Sequence, residues 1–167
     1  MTQGPDNRQA IGLRSLAFHV ASALVTLGFV LLYPLIVLPR PWVWAILRRY
    51  ISAQLWLLRI VCGQRVQVVG IEHLPGTACI LASRHEALWE TLFLPLILDN
   101  PAVILKDEIL RYPLAGRVAR KMGFIGVDRS GAPDRARASF DQARAQAAEG
   151  RNVLIFPSGT RDRKSVV

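Results

Sequence analysis

Apolar residues dominate the first third of the chain and then break into short runs. From Ser15 to Pro39 the sequence SLAFHVASALVTLGFVLLYPLIVLP holds 25 residues without a formal charge. As one helix it would extend about 37 Å, enough to cross a hydrocarbon core of about 30 Å. Pro34 removes a helical hydrogen bond and predicts a kink. A signal peptide has a shorter apolar region, and no small-x-small cleavage site follows this one. A core helix without a polar face needs a large protein around it. The run therefore reads as a membrane anchor. The next stretch, Trp42–Cys62, is apolar but carries Arg48, Ser52 and Arg59 within about 40° of one another at 100° per residue. Trp42, Trp44, Tyr50 and Trp56 accompany that basic stripe. Aromatic rings and Arg belong at the headgroup level of a bilayer. The two stretches predict either a spanning helix with an interfacial one or a hairpin that enters one leaflet.

From Arg65 the period shortens. Val66–Gly70 alternates and predicts a short strand. Ala78–Ala82, Ala102–Leu105, Phe124–Val127 and Asn152–Phe156 are short apolar runs that read as buried strands. Between them, Thr91–Leu98, Glu108–Met122 (interrupted near Pro113) and Ala132–Glu149 read as helices. Pro133 suits a first helical turn and Gly150 a C-terminal cap. Strands alternating with helices predict an α/β class with a mostly parallel sheet and helices on its faces. The expected division is residues 1–64 as anchoring helices and residues 65–167 as a catalytic domain.

Composition changes this picture in one respect. The 167 residues carry a net charge of +9, which by itself suggests a nucleic-acid partner. The charge is unevenly placed: residues 1–65 hold seven Arg against Asp6, while residues 66–167 hold fourteen bases against eleven acids. Most of the excess thus lies in the apolar segment, where it suits anionic headgroups and argues for membrane lipids rather than nucleic acid as partners. Arg40, Arg48 and Arg49 outweigh Arg8 and Arg14, so a spanning first helix would leave the rest of the chain in the cytoplasm. Cys62 and Cys79 form no CxxC pair, which excludes a disulfide scaffold and a four-cysteine zinc site.

Chemistry concentrates just past the strand ends, where parallel sheets bind ligands. His85 and Glu90, five residues apart, follow the run Ala78–Ala82. A carboxylate there can hold one imidazole nitrogen and leave the other free as a base. Lys106, Arg129 and Arg161 each follow a strand and together suggest an anion pocket, since Arg grips phosphate through paired hydrogen bonds. Gly159 would let a backbone approach a ligand closely.

The blocks HEALWE, GFIGVDR and FPSGTR, in this order, resemble the glycerolipid acyltransferases, nearest their 1-acyl-sn-glycerol-3-phosphate acyltransferase branch. They match that family's His-x4-Asp, Gly-Phe-Ile-x-x-x-Arg and Phe-Pro-Glu-Gly-Thr-Arg blocks. KDEILRYPLAG looks like its Lys-x-Glu-Leu segment. Glu90 stands where Asp is usual, and Ser158 stands where Glu is usual. Family members also continue past this point, so the resemblance implies an incomplete fold, truncated at its C-terminal side. It implies transfer of a fatty acyl group from acyl-CoA or acyl-carrier protein to lysophosphatidic acid, giving phosphatidic acid. His85 and Glu90 would be catalytic. Lys106, Arg129 and Arg161 would bind phosphate, and Ser158, Gly159 and Thr160 would form a substrate loop. No metal or other cofactor is required. The setting would be the cell inner membrane, with the catalytic part facing the cytoplasm. A related acceptor, such as glycerol-3-phosphate or a lyso-aminolipid, and a non-catalytic membrane-anchored module remain the alternatives.

Overall fold

The chain begins with two long helices that fold back on each other. The computed structural model describes residues 5–128 and 133–157, with side chains from 12 to 128 and from 137 to 157. Helix α1 spans Pro5–Leu31. It stops because Pro34 cannot donate to the helical ladder and its ring crowds the preceding turn. The backbone tightens into a 3₁₀ turn, Tyr33–Val37, then extends at Leu38 and Pro39. Pro41 lies in the first turn of helix α2, Arg40–Val61, where a missing N–H costs nothing. The expected kink at Pro34 is thus a full reversal, and Ser15–Pro39 is not one continuous helix.

The reversed helices pair antiparallel through a polar seam. Ser22 Oγ donates to Gln54 Oε1 at 2.8 Å, Gln54 Nε2 donates to Thr26 Oγ1 at 3.2 Å, and Thr26 Oγ1 lies 3.2 Å from the Tyr50 hydroxyl. Gln54 is buried, so these bonds satisfy an amide that would otherwise be expensive to enclose. The Phe29 and Tyr50 rings meet edge-on at 5.2 Å. Among the described residues, Gly12–Leu31 is the one helical stretch long and apolar enough to cross a membrane.

The rest is α/β. Strands β1 (Ile80–Ala82), β2 (Ala102–Lys106), β3 (Ile125–Val127) and β4 (Val153–Ile155) form one sheet in the order β1-β4-β2-β3. Every pairing is parallel, with Leu81 opposite Leu154, Val103 opposite Leu154 and Leu105 opposite Gly126. Helix α3 (Leu88–Ile97) joins β1 to β2. The short helices α4 (Asp107–Leu110) and α5 (Ala115–Lys121) join β2 to β3, and α6 (Pro133–Ala148) joins β3 to β4. Gly150 ends the α6 connection at φ 79°, a conformation that suits glycine. Ala102, Ile125 and Val153 pack with Ala143 of α6. A second cluster brings Val43, Trp44 and Ile51 of α2 against Met122, with Leu92, Leu96, Val118 and Phe124 around them.

Two expectations are corrected. Residues 63–70 carry no regular element, so the strand expected at Val66–Gly70 is absent from the sheet. Alternation makes a strand only where a partner edge accepts its hydrogen bonds. Helix α3 begins at Leu88, three residues earlier than the apolar pattern indicates, because a side chain described below caps it.

Candidate active site

Parallel pairing places all four carboxyl strand ends on one edge of the sheet. Past β1, the Ser83 N–H still bonds Ile155 O at 2.9 Å, and the chain then leaves the ladder through Arg84 and His85. Ala87 is the N-terminal cap of α3 but has no side-chain oxygen to cap it. Glu90, in the first turn, does the work: its Oε1 accepts from Ala87 N–H at 2.8 Å and from Glu86 N–H at 2.9 Å. The same oxygen lies 3.0 Å from His85 Nδ1. One carboxylate therefore starts the helix and orients the imidazole. Both side chains are largely enclosed, at 24% and 15% exposure, which screens the pair from bulk water. Burial, the largest influence on Glu90, pushes its pKa up. The bond to His85 and those from the N–H groups of Glu90, Ala87 and Glu86 outweigh it and hold the pKa below the usual 4.5. Glu90 is thus a carboxylate at neutral pH, and His85 Nδ1–H donates to it. That leaves Nε2 as the nitrogen free to take a proton.

The His85 ring also packs against Phe156, just past β4, with centroids 5.2 Å apart. Both border a cavity of about 750 Å³. Its remaining wall is mostly apolar (Val103, Leu105, Ile109, Phe124 and Ile155), and Lys106 lies on it. β4 separates β1 from β2, so Lys106 is two strand spacings from the β1 end, about 10 Å. The predicted sharing of one edge by His85, Glu90 and Lys106 therefore holds. Arg129, Ser158, Gly159, Thr160 and Arg161 lie outside the described residues. Among the described residues, no group of three or more His, Cys, Asp or Glu side chains is placed to hold a metal ion.

Sequence reasoning missed the contribution of α2. Trp44, Leu47, Tyr50 and Ile51 form part of the cavity wall opposite the sheet. An apolar face repeating at three and four residues was available as a signal, but the exposed arginines of the other face drew the interfacial reading. Trp42 and Trp56 do face outward, at 66% and 59% exposure, whereas Trp44 is buried. A second, apolar cavity of about 540 Å³ lies between the hairpin and α5. It shares Leu47, Tyr50, Leu105, Ile109 and Phe124 with the first.

A half-buried His–carboxylate pair at the carboxyl edge of a parallel sheet, beside an apolar cavity with a lysine, is equipped to deprotonate a hydroxyl on an apolar, anionic substrate. The acyltransferase family model matches residues 65–167, and the chain belongs to that family. It is 36% identical over 107 residues to a 1-acyl-sn-glycerol-3-phosphate acyltransferase of Pseudomonas aeruginosa, covering 64% of this chain and 42% of that protein. It is 34% identical over 119 residues to a protein of the same name from Borreliella burgdorferi, covering 70% of this chain and 46% of that protein. The chain thus spans less than half the length of these curated relatives. No solved structure is significantly similar to it.

Proposed function

We propose that the protein is a membrane-bound 1-acyl-sn-glycerol-3-phosphate acyltransferase. In this reading it transfers a fatty acyl group from acyl-CoA or acyl-carrier protein to the free hydroxyl of lysophosphatidic acid and forms phosphatidic acid. The observation that carries the reading is the 3.0 Å His85–Glu90 pair at the mouth of an apolar cavity that also holds Lys106. His85 Nε2 takes the proton from the acceptor hydroxyl as its oxygen attacks the thioester carbonyl. The tetrahedral intermediate collapses, and the departing thiolate recovers that proton from the imidazolium. Glu90 fixes the imidazole tautomer and stabilises the imidazolium while it exists. Lys106, with Arg129 and Arg161, holds the substrate phosphate, and Ser158, Gly159 and Thr160 form the adjoining loop. The apolar walls accept acyl chains. No metal or cofactor takes part. Residues 1–64 anchor the catalytic part, residues 65–167, on the cytoplasmic side of the inner membrane, within reach of its lipid acceptor.

The test is acyl transfer from a labelled thioester in detergent micelles, with lysophosphatidate, glycerol-3-phosphate and a lyso-aminolipid offered in parallel. Lysophosphatidate is expected to be the preferred acceptor. His85→Ala is expected to lower kcat/KM by about 10²–10⁴-fold, the usual contribution of a general base, while vesicle binding persists. Full activity in that variant overturns the assignment, and preference for another acceptor overturns the substrate.

A further inference from the structure

Away from the His85–Glu90 pair, the clearest local anomaly is the turn between α3 and β2. Asp99 and Asn100 hold φ angles of 45° and 64°, the left-handed region, which Asp and Asn enter more readily than other residues with a Cβ. Arg151 grips this turn: Nε donates to Asn100 O at 2.8 Å and Nη2 to Asn100 Oδ1 at 3.2 Å. Asn152 Nδ2 adds a bond to Leu98 O at 3.0 Å. These bonds end on Leu98 and Asn100. The Asp99 carboxylate instead reaches α2, where Oδ1 accepts from Trp44 Nε1–H at 3.0 Å and lies 3.8 Å from Arg48 Nη1.

We propose that Asp99 is a positioning residue for the acyl transfer described above: by holding Trp44, it keeps α2 closed over the His85 cavity. This inference rests on that reading of the site. Trp44, Leu47, Tyr50 and Ile51 reach the cavity only while α2 stays against α3. The Arg48–Asp99 pair contributes little, because both side chains are well exposed, at 59% and 75%. The indole bond carries the latch. Trp44 is 7% exposed, and Asp99 is the acceptor that its indole N–H meets at the edge of the packed face.

Three variants separate the latch from simple damage. Asp99→Gly removes the carboxylate and suits the positive φ, so added strain cannot mimic the effect. Asp99→Asn keeps an acceptor and tolerates the left-handed conformation. Trp44→Phe removes the donor and keeps an aromatic ring. In the full chain in micelles, amide hydrogen exchange across residues 43–51 is expected to rise about tenfold in D99G and W44F, and less than about twofold in D99N, with β4 unchanged. KM for the acyl thioester is expected to rise about five- to tenfold in D99G, with kcat within about twofold. D99N is expected to resemble wild type, and the D99G/W44F double variant to be no worse than either single. Unchanged exchange in D99G and W44F overturns the latch. Faster exchange with an unchanged KM overturns the positioning role. A wild-type chain without acyl transfer overturns the reading of the site and this role with it, while exchange still decides the latch.

Discussion

Helix α1 and strand β4 are both strongly apolar, yet they are buried in opposite ways. Val153 and Leu154 are fully enclosed, at 0% exposure. Leu13, Leu16, Val20, Leu24, Leu27 and Leu31, spaced by three or four residues along one face of α1, are 53–73% exposed. A contiguous apolar face of this length marks contact with something other than water. In β4 the apolar residues hold the protein together. In α1 they are left over after α2 has been packed, as the proposed anchoring role requires. Helix α2 stands between these extremes, with one face against the His85 cavity and the other carrying exposed Arg48, Ser52 and Arg59.

Three substitutions test that contrast, in order of expected size. Leu154→Ala is expected to destabilise the protein by about 2–5 kcal/mol through lost burial and a residual cavity, seen as an earlier denaturant midpoint. A midpoint equal to wild type would mean the sheet is not the stabilising core. Glu90→Gln keeps an acceptor but loses the charge, and is expected to cost about 1 kcal/mol at neutral pH, the difference between charged and neutral hydrogen bonds. Its pH signature is specific. The folded-state pKa of Glu90 is lowered, so the stabilisation is complete above the unfolded value near 4.5 and is lost as pH falls through the lower folded value. The gap in melting temperature between wild type and E90Q should therefore close on acidification. A gap that stays constant would show that the carboxylate charge is not involved. Leu24→Ser is expected to change folding stability by no more than about 0.5 kcal/mol, as for other exposed positions. It should still weaken partition onto anionic vesicles in a flotation assay, and equal loss of both properties would break the contrast.

Much of the α/β part was legible as local pattern. Four short apolar runs became the four strands, and Pro133 and Gly150 bracketed α6 as helix-end chemistry predicts. His85 and Glu90 were legible because five residues spanning a strand end and a helix start bring them together with no help from distant chain. The second role of Glu90, as the cap of α3, was hidden because the cap residue itself is Ala87. The strand expected at Val66–Gly70 failed for the opposite reason: alternation records a preference, whereas a strand needs a partner. The Asp99–Asn100 turn had a local signal in Asp-Asn-Pro, but its restraint comes from Arg151, about fifty residues away, and so could not be read locally.

The sequence alone therefore determined what depends on neighbours along the chain: the apolar first helix, a disturbance at Pro34, the parallel α/β pattern and the His85–Glu90 pair. Tertiary structure decided what depends on meetings across the chain. It set the strand order that puts β4 between His85 and Lys106, the face of α2 that closes the cavity, and the turn that holds Trp44. The physical reason is the range of each interaction. Helix periodicity, proline geometry and capping act over a few residues, whereas the packing of one element on another depends on the shapes of both and on which other surfaces remain open to compete.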